Sequence, residues 1–175
     1  MKRICAIAAL AVSALLLMAS TASADIVRTI NPAAAPTGTH FQVGDATCSV
    51  SSLAVTCSSY ELAGVGNANA EASLVASYSA TVRCRNNGGQ IVDVKSQVTT
   101  VPASTGALEP KNGRLLVPSL SSSPAPTNAQ FEALATCPNR NWTKETLAGS
   151  IALTSFTYTL HFVGFEGNYI TITGP

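Results

Sequence analysis

From Glu71 to Arg85 the chain alternates with a period of two. Ala72, Leu74, Ala76, Tyr78, Ala80, Val82 and Cys84 occupy the even positions, and Ser73, Ser77, Ser79, Thr81, Arg83 and Arg85 lie between them. That pattern predicts a long strand with one buried and one wet face. Asn86-Asn87-Gly88-Gly89 turns the chain, and alternation resumes from Gln90 to Val101. Opposed residues of an antiparallel pair share a face. A two-residue turn would set core residues against charges, whereas a three-residue turn at Asn86-Asn87-Gly88 pairs Val82 with Val92, Ala80 with Val94 and Ala76 with Val98. Gly88 then supplies the left-handed residue that such turns favour.

A second hairpin is predicted with its turn at Ser52-Leu53, placing Cys48 opposite Cys57 and Val50 opposite Val55. Ile26 to Ile30 reads as an edge strand, and His40 to Val43 and Arg114 to Val117 as short strands. Tyr60 to Ala63 is expected to continue the strand from the second hairpin. Pro102 to Gly113 is read as irregular and Ser119 to Thr127 as a surface loop. Asn128 to Thr136 has helix-forming composition, and Thr127 with Gln130 mimics a capping box. Its alternation of Phe131, Ala133, Ala135 and Cys137 nevertheless favours a strand with Cys137 pointing inward. In the last segment Phe156, Tyr158, Leu160 and Phe162 share a face, and a turn at Glu166-Gly167-Asn168 is expected to pair Phe165 with Tyr169 and Phe162 with Ile172.

The N-terminus changes the compartment. Lys2 and Arg3, an apolar run from Ile4 to Met18, and Ala22-Ser23-Ala24 before Asp25 form a secretory leader pattern over residues 1–24. The mature chain is then one domain over residues 25–175, with no later apolar stretch to act as an anchor. Without Lys2 and Arg3, the ten basic residues become eight against nine acidic, a formal charge of −1. That sparse, mixed charge argues against nucleic acid or an anionic membrane as partner. Four cysteines remain, and in an oxidising compartment they predict two disulfides out of three connectivities. Strand geometry favours Cys48–Cys57 with Cys84–Cys137. The spacing does not suit zinc, and no metal or cofactor is expected.

Nucleophile-elbow, phosphate-loop, zincin, EF-hand and dinucleotide motifs are absent from the sequence. His40 and His161 have no designated nucleophile, and the carboxylates are scattered, so no catalytic residue is assigned. Trp142, as an exposed aromatic platform, and His161, Val163 and Phe165, as an apolar interruption of a polar row, form the candidate contact surface. The competing reading makes Trp142 a core or rim residue covering the nearby disulfide, puts Val163 and Phe165 in a covered core, and leaves His161 as a solvent-facing strand residue. The expected fold is all-β: a single antiparallel β-sandwich of about seven to nine strands, immunoglobulin-like in general architecture only. The expected function is a secreted, non-catalytic binding or structural module of the cell surface or extracellular matrix. Its ligand would be a protein or carbohydrate surface, with homo-association through an open sheet edge as one mode. The alternative is a small-ligand carrier or an inhibitor of a foreign enzyme; a hydrolase with an unrecognised site ranks below both.

Overall fold

A computed structural model of the chain describes residues 25–99 and 103–175. The leader pattern at 1–24 lies outside the described residues. The strands are β1 (Val27–Ile30), β2 (His40–Val43), β3 (Cys48–Ser51), β4 (Ala54–Cys57), β5 (Tyr60–Ala63) and β6 (Ala70–Arg85). They continue as β7 (Ile91–Thr99), β8 (Ala103–Ser104), β9 (Arg114–Val117), β10 (Leu120–Ser121), β11 (Thr143–Thr146), β12 (Ala152–Phe162) and β13 (Ile170–Gly174). One α-helix, α1 (Asn128–Leu134), precedes β11.

The protein is mostly β and its strand pairing is antiparallel, but the described strands form three sheets rather than one simple pair. A seven-stranded sheet runs β1-β13-β12-β6, with β11 beyond β12 along one edge of β6 and β8 and β7 along the other. Two three-stranded sheets, β10-β4-β3 and β2-β5-β9, complete the fold. The thirteen described strands exceed the seven to nine expected, because many are only two to four residues long. Tyr60 to Ala63 does not extend β4. After the Ser58-Ser59 break, it joins β2 and β9 instead.

The long alternation puts Ala72, Leu74, Ala76, Tyr78, Ala80, Val82 and Cys84 at 0–1% exposure. Phe156, Tyr158, Leu160 and Phe162 of β12 are buried on the same side, and all three sheets contribute to one apolar core. Two registers differ from expectation. Val82 faces Val94, Ala80 faces Ser96 and Tyr78 faces Val98, a displacement of two residues. The turn is still three residues long but sits at Asn87-Gly88-Gly89, where Gly89 takes the left-handed conformation at φ +81°. A two-residue displacement preserves both faces, so alternation does not detect it. Asn86 clasps Gln90 through side chain and backbone, and Arg83 directly opposes Asp93 in a bidentate pair at 2.9 and 3.0 Å.

At the C-terminal hairpin, Leu160 faces Ile170 and Tyr158 faces Ile172, not Phe162 with Ile172 or Phe165 with Tyr169. The turn is wider, with Gly164 and Gly167 at φ +89° and +79°. Phe165 folds back so that its ring meets Phe162 edge-on at 6.3 Å.

Residues 128–134 are helix, which corrects the predicted strand. The Thr127 N–H donates to Gln130 Oε1 at 2.8 Å, the contact the capping signature implies. Phe131 and Ala135 are buried while Ala133 and Leu134 are exposed, the latter 62%, as the narrow i, i+4 stripe of a two-turn helix requires. Cys137 follows the helix and bonds to Cys84, and Cys48 bonds to Cys57 across β3 and β4.

Polar atoms inside this core are paired. Tyr78 Oη donates to Leu53 O at 3.0 Å and lies 2.9 Å from Ser122 Oγ, which also accepts the Val55 N–H. Tyr60 Oη meets Tyr158 Oη at 2.8 Å, joining β5 to β12. Burial pushes both phenols upward in pKa, so this pair stays protonated and bonded. Tyr60→Phe should lower stability in urea unfolding by about 1–3 kcal/mol, since Tyr158 would keep a buried hydroxyl without its partner. The double variant Tyr60→Phe/Tyr158→Phe should regain most of that loss. If the two single costs simply add, this hydroxyl pair is not a coupled unit.

Candidate contact surface

The structure separates the residues singled out in the sequence. Trp142 is half-buried beside the start of β11, where Thr143 faces Arg85 at the far end of β6. His161 faces Glu71 at the opposite end of β6. Fourteen residues of strand, about 45 Å at the usual rise, lie between Arg85 and Glu71. Val163 is 59% exposed, His161 is half-buried, and Phe165 is half-buried against the core. Only the 161–165 group is therefore a local cluster.

Its chemistry is structural. His161 Nδ1 lies 2.7 Å from Gly167 O; a carbonyl only accepts, so Nδ1 carries the proton and the ring braces the β12–β13 turn. Ser104 Oγ donates to Glu71, the residue facing His161. A serine hydroxyl donating to a carboxylate, with the imidazole donating to a carbonyl, is not the order in which a base activates a nucleophile. His40 is engaged similarly, with Nδ1 2.8 Å from Gly38 O. Among the described residues, no group of three or more His, Cys, Asp or Glu is placed to hold a metal ion, and no helix is long and apolar enough to cross a membrane.

The larger feature lies on the open face of the seven-stranded sheet. Thr29 of β1 faces Thr171 of β13, which faces Thr159 of β12, which faces Ser73 of β6, which faces Ser104 of β8. Five hydroxyls thus form one row across five strands, about 19 Å long at the usual strand spacing. The next row carries Thr173 and Thr157 between Val27 and Val75, and the one after it carries Ser155, Ser77 and Thr99. None of these side chains is buried. Ser73 and Thr159 hydroxyls lie 2.9 Å apart, and those of Ser77 and Thr99 lie 3.3 Å apart.

These three rows contain no charged side chain. Charge collects at the sheet's ends: Glu71 with His161 at one, and Arg83, Asp93 and Glu145 at the other. Arg83 holds the Asp93 carboxyl below its ordinary pKa through their hydrogen bonds. Sequence reasoning recognised a wet, hydroxyl-bearing face on individual strands but missed the rows. The available signal was Ser or Thr recurring at alternate positions of β6, β12 and β13, interrupted in β6 by Glu71, Val75, Arg83 and Arg85; assembling them into rows needs the register.

No protein-family model, curated protein or solved structure matches this chain.

Proposed function

We propose that this chain is an exported, non-catalytic binding or structural module of the cell surface or extracellular matrix, with the open face of its seven-stranded sheet as the contact surface. Its three sheets are read as an elaborated sandwich of immunoglobulin-like general architecture, reached after removal of a leader at residues 1–24. Two disulfides are compatible with an oxidising compartment. The observation that carries the reading is the broad, uncharged array of solvent-reaching hydroxyls on a sheet braced from behind by one continuous core. Such a face suits a protein or carbohydrate surface, and homo-association is a further mode of the same reading. Nucleic acid and an anionic membrane are poor fits to it.

The test uses the exported protein, whose N-terminal sequencing should begin at Asp25. Sedimentation with isolated cell envelopes or matrix should give saturable binding. Thr171→Arg, second of the five residues in the first row, should weaken it at least tenfold, while Trp142→Ala should leave it unchanged. Equal binding by Thr171→Arg would refute the assigned surface.

A second reading, a small-ligand carrier, is favoured by a cleft of about 340 Å³ bordered by Val98, Ala103, Ser122, Pro124 and Gln130. Native mass spectrometry of the exported protein would then show a bound small molecule that is lost on unfolding.

A further inference from the structure

Resting on the contact-surface reading above, we infer that the row Thr29–Thr171–Thr159–Ser73–Ser104 binds an uncharged, hydroxyl-rich polysaccharide chain laid across the strands. The ligand class follows from what the face offers. A hydroxyl both donates and accepts, so a line of them matches a polymer that presents alternating donors and acceptors in no fixed order. Within the rows there is no cation to hold a sulfated or uronic chain, and the one carboxylate at the row's end, Glu71, is engaged by the Ser104 hydroxyl, which closes the line there.

The shape points the same way. The site is an open line about 19 Å long, which fits an extended chain better than a compact molecule. Threonine methyls, with Val27 and Val75 in the adjoining row, give the C–H faces of sugar rings something apolar to rest on. Pairing of Ser73 with Thr159 at 2.9 Å fixes both hydroxyls before a ligand arrives, which reduces the ordering cost of binding. Each exchange of water for a sugar hydroxyl gains little, so affinity depends on several contacts made together along the polymer.

The experiment is affinity electrophoresis of the exported protein through gels containing dextran, a mixed-linkage β-glucan, hydroxyethylcellulose, or the anionic polymer polygalacturonate. At least one uncharged polymer should retard migration, with a dissociation constant insensitive to salt between low and physiological ionic strength. Polygalacturonate should not retard it. Thr159→Val/Thr171→Val preserves shape and strand preference while removing two hydroxyls, and should weaken binding by about tenfold or more. Val163→Ser, off the row, should bind like the parent. Thermal unfolding of each variant confirms the fold.

Failure to bind any uncharged polymer, binding abolished by salt, or full binding by the double valine variant would overturn the assignment. If envelope binding falls in the double valine variant while no uncharged polymer binds, the ligand class is wrong and the contact surface stands. If sedimentation velocity instead shows a dimer that the double variant dissociates, the face takes a second copy, and the polysaccharide assignment fails.

Discussion

Replacing both Cys84 and Cys137 with alanine should lower the unfolding free energy by about 4 kcal/mol, against about 3 kcal/mol for the same change at Cys48 and Cys57. The difference comes from what each bridge restrains. Cys84–Cys137 spans a sequence separation of 53, and Cys48–Cys57 only 9. In the chain-entropy account the larger loop loses more freedom in the unfolded chain. The long bridge also has more to hold in place. Cys84 faces Lys144 of β11 and Val92 of β7, so the bond fastens the segment after α1 to a strand already central to the sheet. Cys48 and Cys57 join strands paired over four residues beside a tight turn. Urea unfolding of the two double variants, each extrapolated to water with its own slope, measures the comparison. An equal or larger loss at Cys48 and Cys57 would contradict it.

The sequence reveals which faces are buried more readily than which residues oppose one another. In β6 the apolar side chains recur without interruption from Ala72 to Cys84, and the structure buries every one. The small hairpin was legible down to its partners, with Cys48 facing Cys57 and Val50 facing Val55. Its turn is the expected Ser52-Leu53, both at positive φ as a two-residue hairpin turn favours. The β6–β7 and β12–β13 registers were not legible, because displacements of two and four residues leave each face intact. Choosing among them depends on side-chain bonds such as Arg83 to Asp93 and on which glycine takes the left-handed conformation.

The site was less legible than the fold for a related reason. Trp142, His161, Val163 and Phe165 stand out because each breaks a local pattern. The residues forming the hydroxyl rows are unremarkable one at a time, and acquire meaning only when β1, β13, β12, β6 and β8 are laid side by side. The division into three sheets was hidden similarly. Nothing in Ser58-Ser59 states that the chain leaves one sheet and enters another.

The largest side-chain effect is expected at Phe131. Phe131→Ala should cost about 3–5 kcal/mol, the usual range for emptying a buried phenylalanine site. Phe131 is fully buried, and its carbonyl accepts both Ser96 Oγ at 2.8 Å and the Ala135 N–H at 2.9 Å. At seven residues, α1 is too short to persist by its own propensity; docking holds it. Two further bonds secure it: Glu132 accepts the Thr146 N–H at 2.8 Å, and Thr146 Oγ1 donates to Asn128 O at 3.2 Å. Emptying the Phe131 site removes its apolar anchor, so hydrogen exchange should rise across 128–135 as global stability falls. The same residue explains the mistaken strand assignment. Phe131 and Ala135 fall on one face whether residues are counted in twos along a strand or in fours along a helix, and Ala133, inward along a strand but exposed here, tells the two apart. Leu134 is exposed, so Leu134→Ala should stay within about 0.5 kcal/mol of the parent. Equal costs at Phe131 and Leu134 in urea unfolding would mean that α1 does not anchor this corner of the fold.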